Sequence, residues 1–221
     1  MSIKHIARLL PLVLLFLVPN ISSAATESVS VIRQDCTGYS RCYTSLSAWE
    51  AAQQRDLVAS NEIAVARIEG TWTNPDTTAV TIDGWTTGVN NYIKIYTAPE
   101  ARHGGVWDNT KYRLSNSGRV IYNVEPYVRI DGIQIDNKTS TSQGMLSYQS
   151  GVEISNSIIK NSNIGLYLSG DNVKVKNCLI YDSNFGLRFA GANGFFYNCT
   201  YANNATAVYL DAKSSTLNNS I

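Results

Sequence analysis

Three residues at a constant interval of 21 could bind a sugar chain. Tyr167, Arg188 and Tyr209 each stand at the same place in a run of alternating apolar residues, as between Leu166 and Leu168. This pattern predicts a column of outward-facing side chains. Tyrosine rings stack on sugar faces and a guanidinium binds carboxylates, so we expect a substrate-binding column. The alternative is that these residues only pair with one another across neighbouring strands.

A second group of candidate residues is acidic. Asp131, Asp136 and Glu153 belong to neighbouring strand-like runs and could come close together in space. Carboxylate oxygens are ligands of Ca²⁺, and paired carboxyl groups also act as general acid and base. We therefore expect either a Ca²⁺ site or, as the commoner case, separate surface acids.

Three basic residues could take part in proton transfer. Lys174 and Lys176 alternate with apolar residues and should lie on an exposed strand face. To act as a base in β-elimination from a uronide, a lysine needs a lowered pKa and a charged neighbour, which the adjacent sequence does not supply. His103 lies in a glycine-rich loop, where a structural role is the commoner one. The sequence thus identifies no catalytic residue.

The elements that would position these residues are repeats of 21 residues. Each repeat consists of short β-branched or aromatic runs separated by Asn, Asp, Ser or Gly, and no run is long enough for a helix. Twenty-one residues can close one coil, with successive coils stacked about 4.8 Å apart. We predict an all-β fold, a single-stranded right-handed parallel β-helix (solenoid). A leucine-rich repeat is the alternative, but its leucine signature is absent.

Asparagine recurs once per repeat, between two strands. Asparagine tolerates the left-handed conformation, and its amide can bond to the amides above and below. We therefore expect a structural ladder of Asn156, Asn177, Asn198 and Asn219.

The chain divides into three parts. Residues 1–24 have the basic residues Lys4 and Arg8, an apolar run and a small-residue end, which predicts a signal peptide. Residues 25–60 are expected to be a polar lead-in followed by a capping helix, with Ser47 and Glu50 at capping-box spacing. Residues 61–221 should form the β-helix, with irregular coils to about residue 127 and regular coils after it.

These features predict a secreted or cell-surface protein, periplasmic in a Gram-negative host. Without Lys4 and Arg8, 16 basic and 17 acidic residues give a net charge of −1, which does not favour a nucleic-acid partner. No stretch after residue 24 is long and apolar enough to span a membrane.

The four cysteines fall into two pairs. Cys36 and Cys42 have five residues between them, and in an exported protein such a loop is most often closed by a disulfide. Cys178 and Cys199 would be neighbours on adjacent coils. Parallel strands hold Cβ atoms about 4.8 Å apart, farther than a disulfide prefers, so we expect two buried free thiols.

The last residues, Asn218 to Ile221, stop in the middle of a repeat. An uncovered end would leave unpaired strand edges. The pattern therefore predicts further coils or a capping partner beyond residue 221, and those coils could hold an active site.

The repeats resemble the pectin-lyase-like superfamily of right-handed β-helix proteins. The resemblance covers roughly residues 40–221 and rests on the ranges Val152 to Leu168, Val173 to Phe189 and Phe195 to Leu210, with Tyr43 to Ala52 and Thr81 to Trp85 similar to the N-terminal region of such proteins. It implies the fold, and it implies an extracellular polysaccharide as the partner.

The resemblance does not extend to a specific activity. The acidic and Gly-His-Gly motifs of polygalacturonases are absent, and so are the Trp-Ile-Asp-His and Arg-x-Pro-x-x-Arg segments of pectate lyases. Thr81 to Gly84 and Val128 to Gly132 come nearest to the former segment, but glycine stands where histidine would be. Two functions stay open: a polysaccharide lyase-like or glycosidase-like protein that acts on or binds polysaccharide, and a non-catalytic surface or adhesin-type scaffold.

Overall fold

The structure, a computed structural model, describes residues 24–211 and 214–220. The predicted signal peptide, apart from Ala24, lies outside the described residues. The described chain winds through three parallel sheets that form the faces of a solenoid. This arrangement is the predicted all-β parallel β-helix.

The first face is a nine-stranded parallel sheet. In their order across the sheet, its strands are β2 (Cys42–Tyr43), β1 (Thr26–Ile32), β3 (Glu62–Ile68), β5 (Ile93–Thr97), β8 (Val128–Asp131), β11 (Glu153–Ser155), β14 (Lys174–Lys176), β17 (Gly194–Tyr197) and β20 (Ser215–Asn218).

The other two faces have six and five strands. The six-stranded sheet consists of β4 (Val80–Ile82), β7 (Ile121–Asn123), β10 (Gln143–Ser147), β13 (Ile164–Leu168), β16 (Phe185–Phe189) and β19 (Thr206–Leu210). The five-stranded sheet consists of β6 (Leu114–Asn116), β9 (Gln134–Asn137), β12 (Ile158–Lys160), β15 (Leu179–Tyr181) and β18 (Thr200–Ala202).

Inward-facing side chains fill the solenoid because every second residue of a strand points to the same face. Ile159 pairs with Ile180, and Ile180 with Tyr201, so that each stacks on the residue 21 positions later. All three are buried, and they belong to one continuous core. Each fully buried isoleucine side chain stabilises the fold by about 1.5–3 kcal/mol.

The asparagine column lies at a corner between the nine-stranded and five-stranded sheets. Asn156, Asn177, Asn198 and Asn219 have φ of 49°, 54°, 51° and 49°, the left-handed region. The amide of Asn177 donates to Oδ1 of Asn156 at 3.0 Å, and Asn198 donates to Asn177 at 3.3 Å. The column ends on Asp131, whose Oδ1 accepts from Asn156 Nδ2 at 2.5 Å.

The segment expected to be a polar lead-in contains a strand of the solenoid. Strand β1 pairs in parallel with β3 along its whole length, from Thr26 against Glu62 to Ile32 against Ile68. Ser30 and Ile32 face inward and are buried, while Val29 and Val31 face outward. Ser30 is in register with the small residue Ala66, and a serine at an inward position hides the usual apolar pattern of a strand.

The capping helix is α1 (Leu46–Gln53). Its N-cap is Ser45, whose side chain accepts from the Ala48 N–H, so the expected capping box at Ser47 does not form. Glu50 instead accepts hydrogen bonds from the indole of Trp85 at 3.1 Å and from the backbone N–H of Asp83. These hydrogen bonds hold the helix against the turn that follows β4.

Two short helical segments complete the fold. They are α2 (Leu57–Ser60) and a 3₁₀ turn at Pro99–Ala101. Trp49 of the capping helix is buried and stacks on Trp85, with ring centroids 5.6 Å apart. The tryptophan therefore serves in packing.

The structure confirms the disulfide Cys36–Cys42, with Cα atoms 5.6 Å apart. Cys178 and Cys199 are free and buried. Among the described residues, no helix has the length and apolar character needed to cross a membrane.

Candidate functional site

The outer face of the six-stranded sheet carries a strip of four tyrosines and one arginine, which we call the tyrosine strip. Its members are Tyr122, Tyr148, Tyr167, Arg188 and Tyr209. Tyr167 pairs in register with Arg188, and Arg188 with Tyr209. The structure thus brings together all three residues of the predicted binding column.

Arg188 lies between two aromatic rings. Its Cζ is 4.7 Å from the ring centroid of Tyr167 and 5.6 Å from that of Tyr209. Phe185 packs edge-on against Tyr209, with centroids 6.1 Å apart. Phe185, Arg188 and Tyr209 line a shallow recess of about 260 Å³. The guanidinium is held in place by rings rather than by an acid.

No carboxylate of the described residues pairs with Arg188. Its Nε is buried and has no hydrogen-bond partner. A cation held between rings gains roughly 0.5–2 kcal/mol, yet a buried donor without a partner costs about 1–3 kcal/mol. The charge of Arg188 is thus not neutralised by an acid of the described residues, which leaves the guanidinium able to attract a negatively charged group of a ligand.

The strip is longer than the sequence predicted. Tyr148 lies between Tyr122 and Tyr167, with ring centroids 6.3 and 6.0 Å away. Leu146 is buried, and it is the residue that pairs in register with Tyr122 on one side and Tyr167 on the other. The 21-residue interval misses Tyr122 and Tyr148 because the interval between β7 and β10 is 24 and Tyr148 lies two residues past Leu146. A tyrosine in or just after a strand-like run, on the outward side of the alternation, was the signal that could have found them.

Tyr148 and Tyr209 are exposed, at 49% and 45%. Tyr122, Tyr167 and Arg188 are half-buried. The strip follows five strands, from β7 to β19, which is about 19 Å along the solenoid axis. An extended chain could therefore contact several members at once.

The acidic candidates are bound by other side chains of the protein. Asp131 binds Arg102 Nη1 at 2.7 Å and Ser155 Oγ at 2.6 Å, while Glu153 pairs with Lys174 at 2.9 Å. Asp136 lies on the five-stranded sheet and accepts from an asparagine. Over residues 24–211 and 214–220, no three His, Cys, Asp or Glu side chains are placed to hold a metal ion. The Ca²⁺ expectation thus finds no support in the geometry.

Asp131 is held in its ionised form. Burial raises its pKa, but hydrogen bonds from Arg102, Ser155 and Asn156 outweigh burial and lower the pKa below its usual value. A carboxylate held so firmly is unsuited to general acid–base work near neutral pH.

A groove of about 530 Å³ crosses the nine-stranded sheet. Its lining includes Tyr92, Arg129, Glu153 and Lys176, and Cζ of Arg129 lies 3.6 Å from the ring centroid of Tyr92. Lys174, beside the groove, pairs with Glu153 of the neighbouring coil, so the charged neighbour missing from the adjacent sequence comes from the preceding coil.

His103 is buried and tied to the asparagine corner. Its Nδ1 accepts from the Gly105 N–H at 3.1 Å, so Nε2 carries the proton and donates to the Asn156 carbonyl at 3.0 Å. Burial lowers its pKa, and the nearby Arg102 acts in the same direction. Both nitrogens are occupied, which points to a structural role.

One comparison with known proteins, the match to a family model, agrees with the fold. Residues 116–221 match the family model of a right-handed β-helix region. A comparison with curated proteins returns no match. One similar solved structure, at 1.95 Å, is named a "putative glycosyl hydrolase" from Parabacteroides merdae. It has 11% identity and a TM-score of 0.48 over 75% of this chain and 85% of that one.

The family match begins at β6 and runs through the regular coils that carry most of the tyrosine strip. The earlier coils continue the same sheets without a break. The described chain is a parallel β-helix, and its part from residue 116 onwards matches the family model of a right-handed β-helix region.

Proposed function

We propose that this protein binds an acidic extracellular polysaccharide on the tyrosine strip. The observation that carries the proposal is Arg188, which lies between Tyr167 and Tyr209 with no carboxylate partner among the described residues. The rings offer sugar-stacking faces, and the guanidinium offers a charge-assisted contact to a uronate.

The proposal includes export to the cell surface, the surrounding medium or the periplasm. The disulfide Cys36–Cys42 supports an oxidising compartment, where such bonds persist. The basic and apolar pattern of residues 1–24 supports secretion. A polysaccharide outside the cell is then the partner within reach.

Native affinity electrophoresis in gels that contain polygalacturonate or dextran tests this proposal. We expect polygalacturonate to retard the wild-type protein and dextran to have little effect. Arg188→Leu should weaken the affinity about tenfold, the size of one charge-assisted contact of roughly 1.4 kcal/mol. Tyr209→Ala should weaken it several-fold through the loss of one stacking face.

Matched controls come from residues outside the strip. Arg129→Leu removes an arginine that also stacks on a tyrosine, but on the nine-stranded sheet. Tyr39→Ala removes a tyrosine of similar exposure, 48% against 45% for Tyr209. Both should leave the retardation unchanged. Equal losses in the controls and in the strip variants would refute the assignment of binding to the strip.

The second candidate is the non-catalytic surface scaffold, favoured by the ion pairs that occupy Asp131 and Glu153. If the first candidate is right, we expect the strip to bind polysaccharide without cleaving it, since the tyrosine strip contains no carboxyl or imidazole group. Ultraviolet absorbance of unsaturated product should stay flat with polygalacturonate. A rise abolished by Lys174→Ala would instead make the protein a lyase that acts from the groove. A lack of both product and retention would favour the scaffold.

A further inference from the structure

We propose that the tyrosine strip holds its ligand at two separate points and that Arg119 is the second. This inference rests on the proposed function and adds the orientation and minimum length of the bound glycan. The ligand is a linear acidic polysaccharide that runs parallel to the solenoid axis, with one uronate on Arg188 and another on Arg119.

Arg119 is placed like Arg188, with its guanidinium over a tyrosine ring, at the β7 end of the strip. Its Cζ lies 4.5 Å from the ring centroid of Tyr122. Its Nε donates to the neutral side chain of Gln143 at 3.2 Å, and no carboxylate of the described residues pairs with it. The side chain is exposed. Both Arg119 and Arg188 therefore place a guanidinium over a tyrosine ring of the strip without an acidic partner among the described residues.

The register fixes the separation of the two points. From Tyr122 the column runs through Leu146 and Tyr167 to Arg188, which is three strand spacings. At about 4.8 Å per spacing, Arg188 is roughly 14 Å along the axis from Tyr122, the ring on which Arg119 lies. Tyr148 and Tyr167 lie between them and offer stacking faces on the way.

A pyranose in an extended glycan advances the chain by about the height of one coil. A stretch of four sugars can therefore reach from one arginine to the other, whereas a disaccharide reaches only one. Once the first uronate is bound, the second contact forms within the complex at high effective concentration. The affinity should rise steeply at the length that bridges both points.

Isothermal titration with oligogalacturonates of two to eight units tests this inference, with polygalacturonate as the long probe. For the wild-type protein we expect the eight-unit oligomer to bind at least tenfold more tightly than the two-unit oligomer, with the steepest rise near four units. Arg119→Leu should remove this rise but change two-unit binding by no more than about twofold. Because Arg119 is exposed, the variant should fold, which circular dichroism checks.

Arg129→Leu is the control, because it removes a stacked arginine from another face and should keep the length dependence of the wild type. If Arg119→Leu and the wild type show the same dependence on length, the two-point inference is wrong while the proposed function stands. If neither polygalacturonate nor any oligomer binds the wild-type protein, both proposals fail.

Discussion

The side chains of Asn177 and His103 show how the fold holds single residues in unusual states. Asn177 is left-handed and takes part in two amide hydrogen bonds, one to each neighbouring coil. His103 is held as one neutral tautomer by two backbone groups. Asn177 links adjacent coils, and His103 links its loop to a corner two coils further on. The loss of either residue should therefore lower the stability of the solenoid.

Asn177→Ala should destabilise the protein by about 2–3 kcal/mol, because alanine is strained in the left-handed conformation and two hydrogen bonds are lost. Asn177→Gly keeps the conformational freedom and should cost less. Urea unfolding measures both, with the exposed Lys176→Ala as a neutral control. Equal losses for alanine and glycine would mean that the backbone conformation contributes nothing.

His103 should contribute to the pH dependence of the free energy of unfolding. Its pKa in the folded protein is below the ordinary value of 6.5, so the unfolded chain binds more protons in that range. The contribution of neutral His103 to the free energy of unfolding is complete above pH 6.5, and it is lost as the pH falls from 6.5 through the folded pKa. Unfolding free energies between pH 8 and about 5 should show a smaller drop for His103→Gln than for the wild type.

Asp131 affects the stability at lower pH than His103 begins to. Its pKa is below the ordinary 3.8, so the stability it provides is present above that value and lost as the pH falls further. A pH profile unchanged by His103→Gln would contradict the structural role given to the histidine.

At the scale of elements, a column of small residues lets the strands of the six-stranded sheet approach closely. A Cβ on Gly165 would lie 2.6 Å from the carbonyl oxygen of Gly186 and 2.5 Å from Ile180. We expect Gly165→Ala to cost about 1–3 kcal/mol by overpacking. Thermal unfolding tests this, and Gly104→Ala, whose Cβ would meet nothing within 4 Å, should change little. Equal melting temperatures for the two variants would disprove the close approach.

The regular coils could be predicted because each strand repeats the residue types of the one before it. The 21-residue interval identifies Asn156 and Tyr167 without any knowledge of the structure. Strand β1 was missed because a serine at an inward position hides the apolar pattern there. Tyr148 and Arg119 were missed because a coil of 24 residues breaks the interval, and the partners of Asp131 come from other coils.

At the scale of the molecule, the solenoid presents two surfaces with different chemistry. The nine-stranded sheet carries a groove in which Asp131 and Glu153 are already paired with cations. The six-stranded sheet carries the tyrosine strip, where Arg188 has no such partner among the described residues. Arg129 of the groove also has no carboxylate partner among the described residues, so we base the expected preference of an acidic glycan for the strip on its row of tyrosine faces. The charged part of the binding should weaken as added salt screens the charges.

Carbon-13 labelling of the tyrosine rings measures this preference most directly. Spectra would be recorded as polygalacturonate is added, with signals assigned by single Tyr→Phe variants. Our account predicts shifts for Tyr167 and Tyr209 of the strip and none for Tyr92 and Tyr96 of the groove. Shifts confined to Tyr92 and Tyr96, or no shifts at saturating polymer, would contradict it.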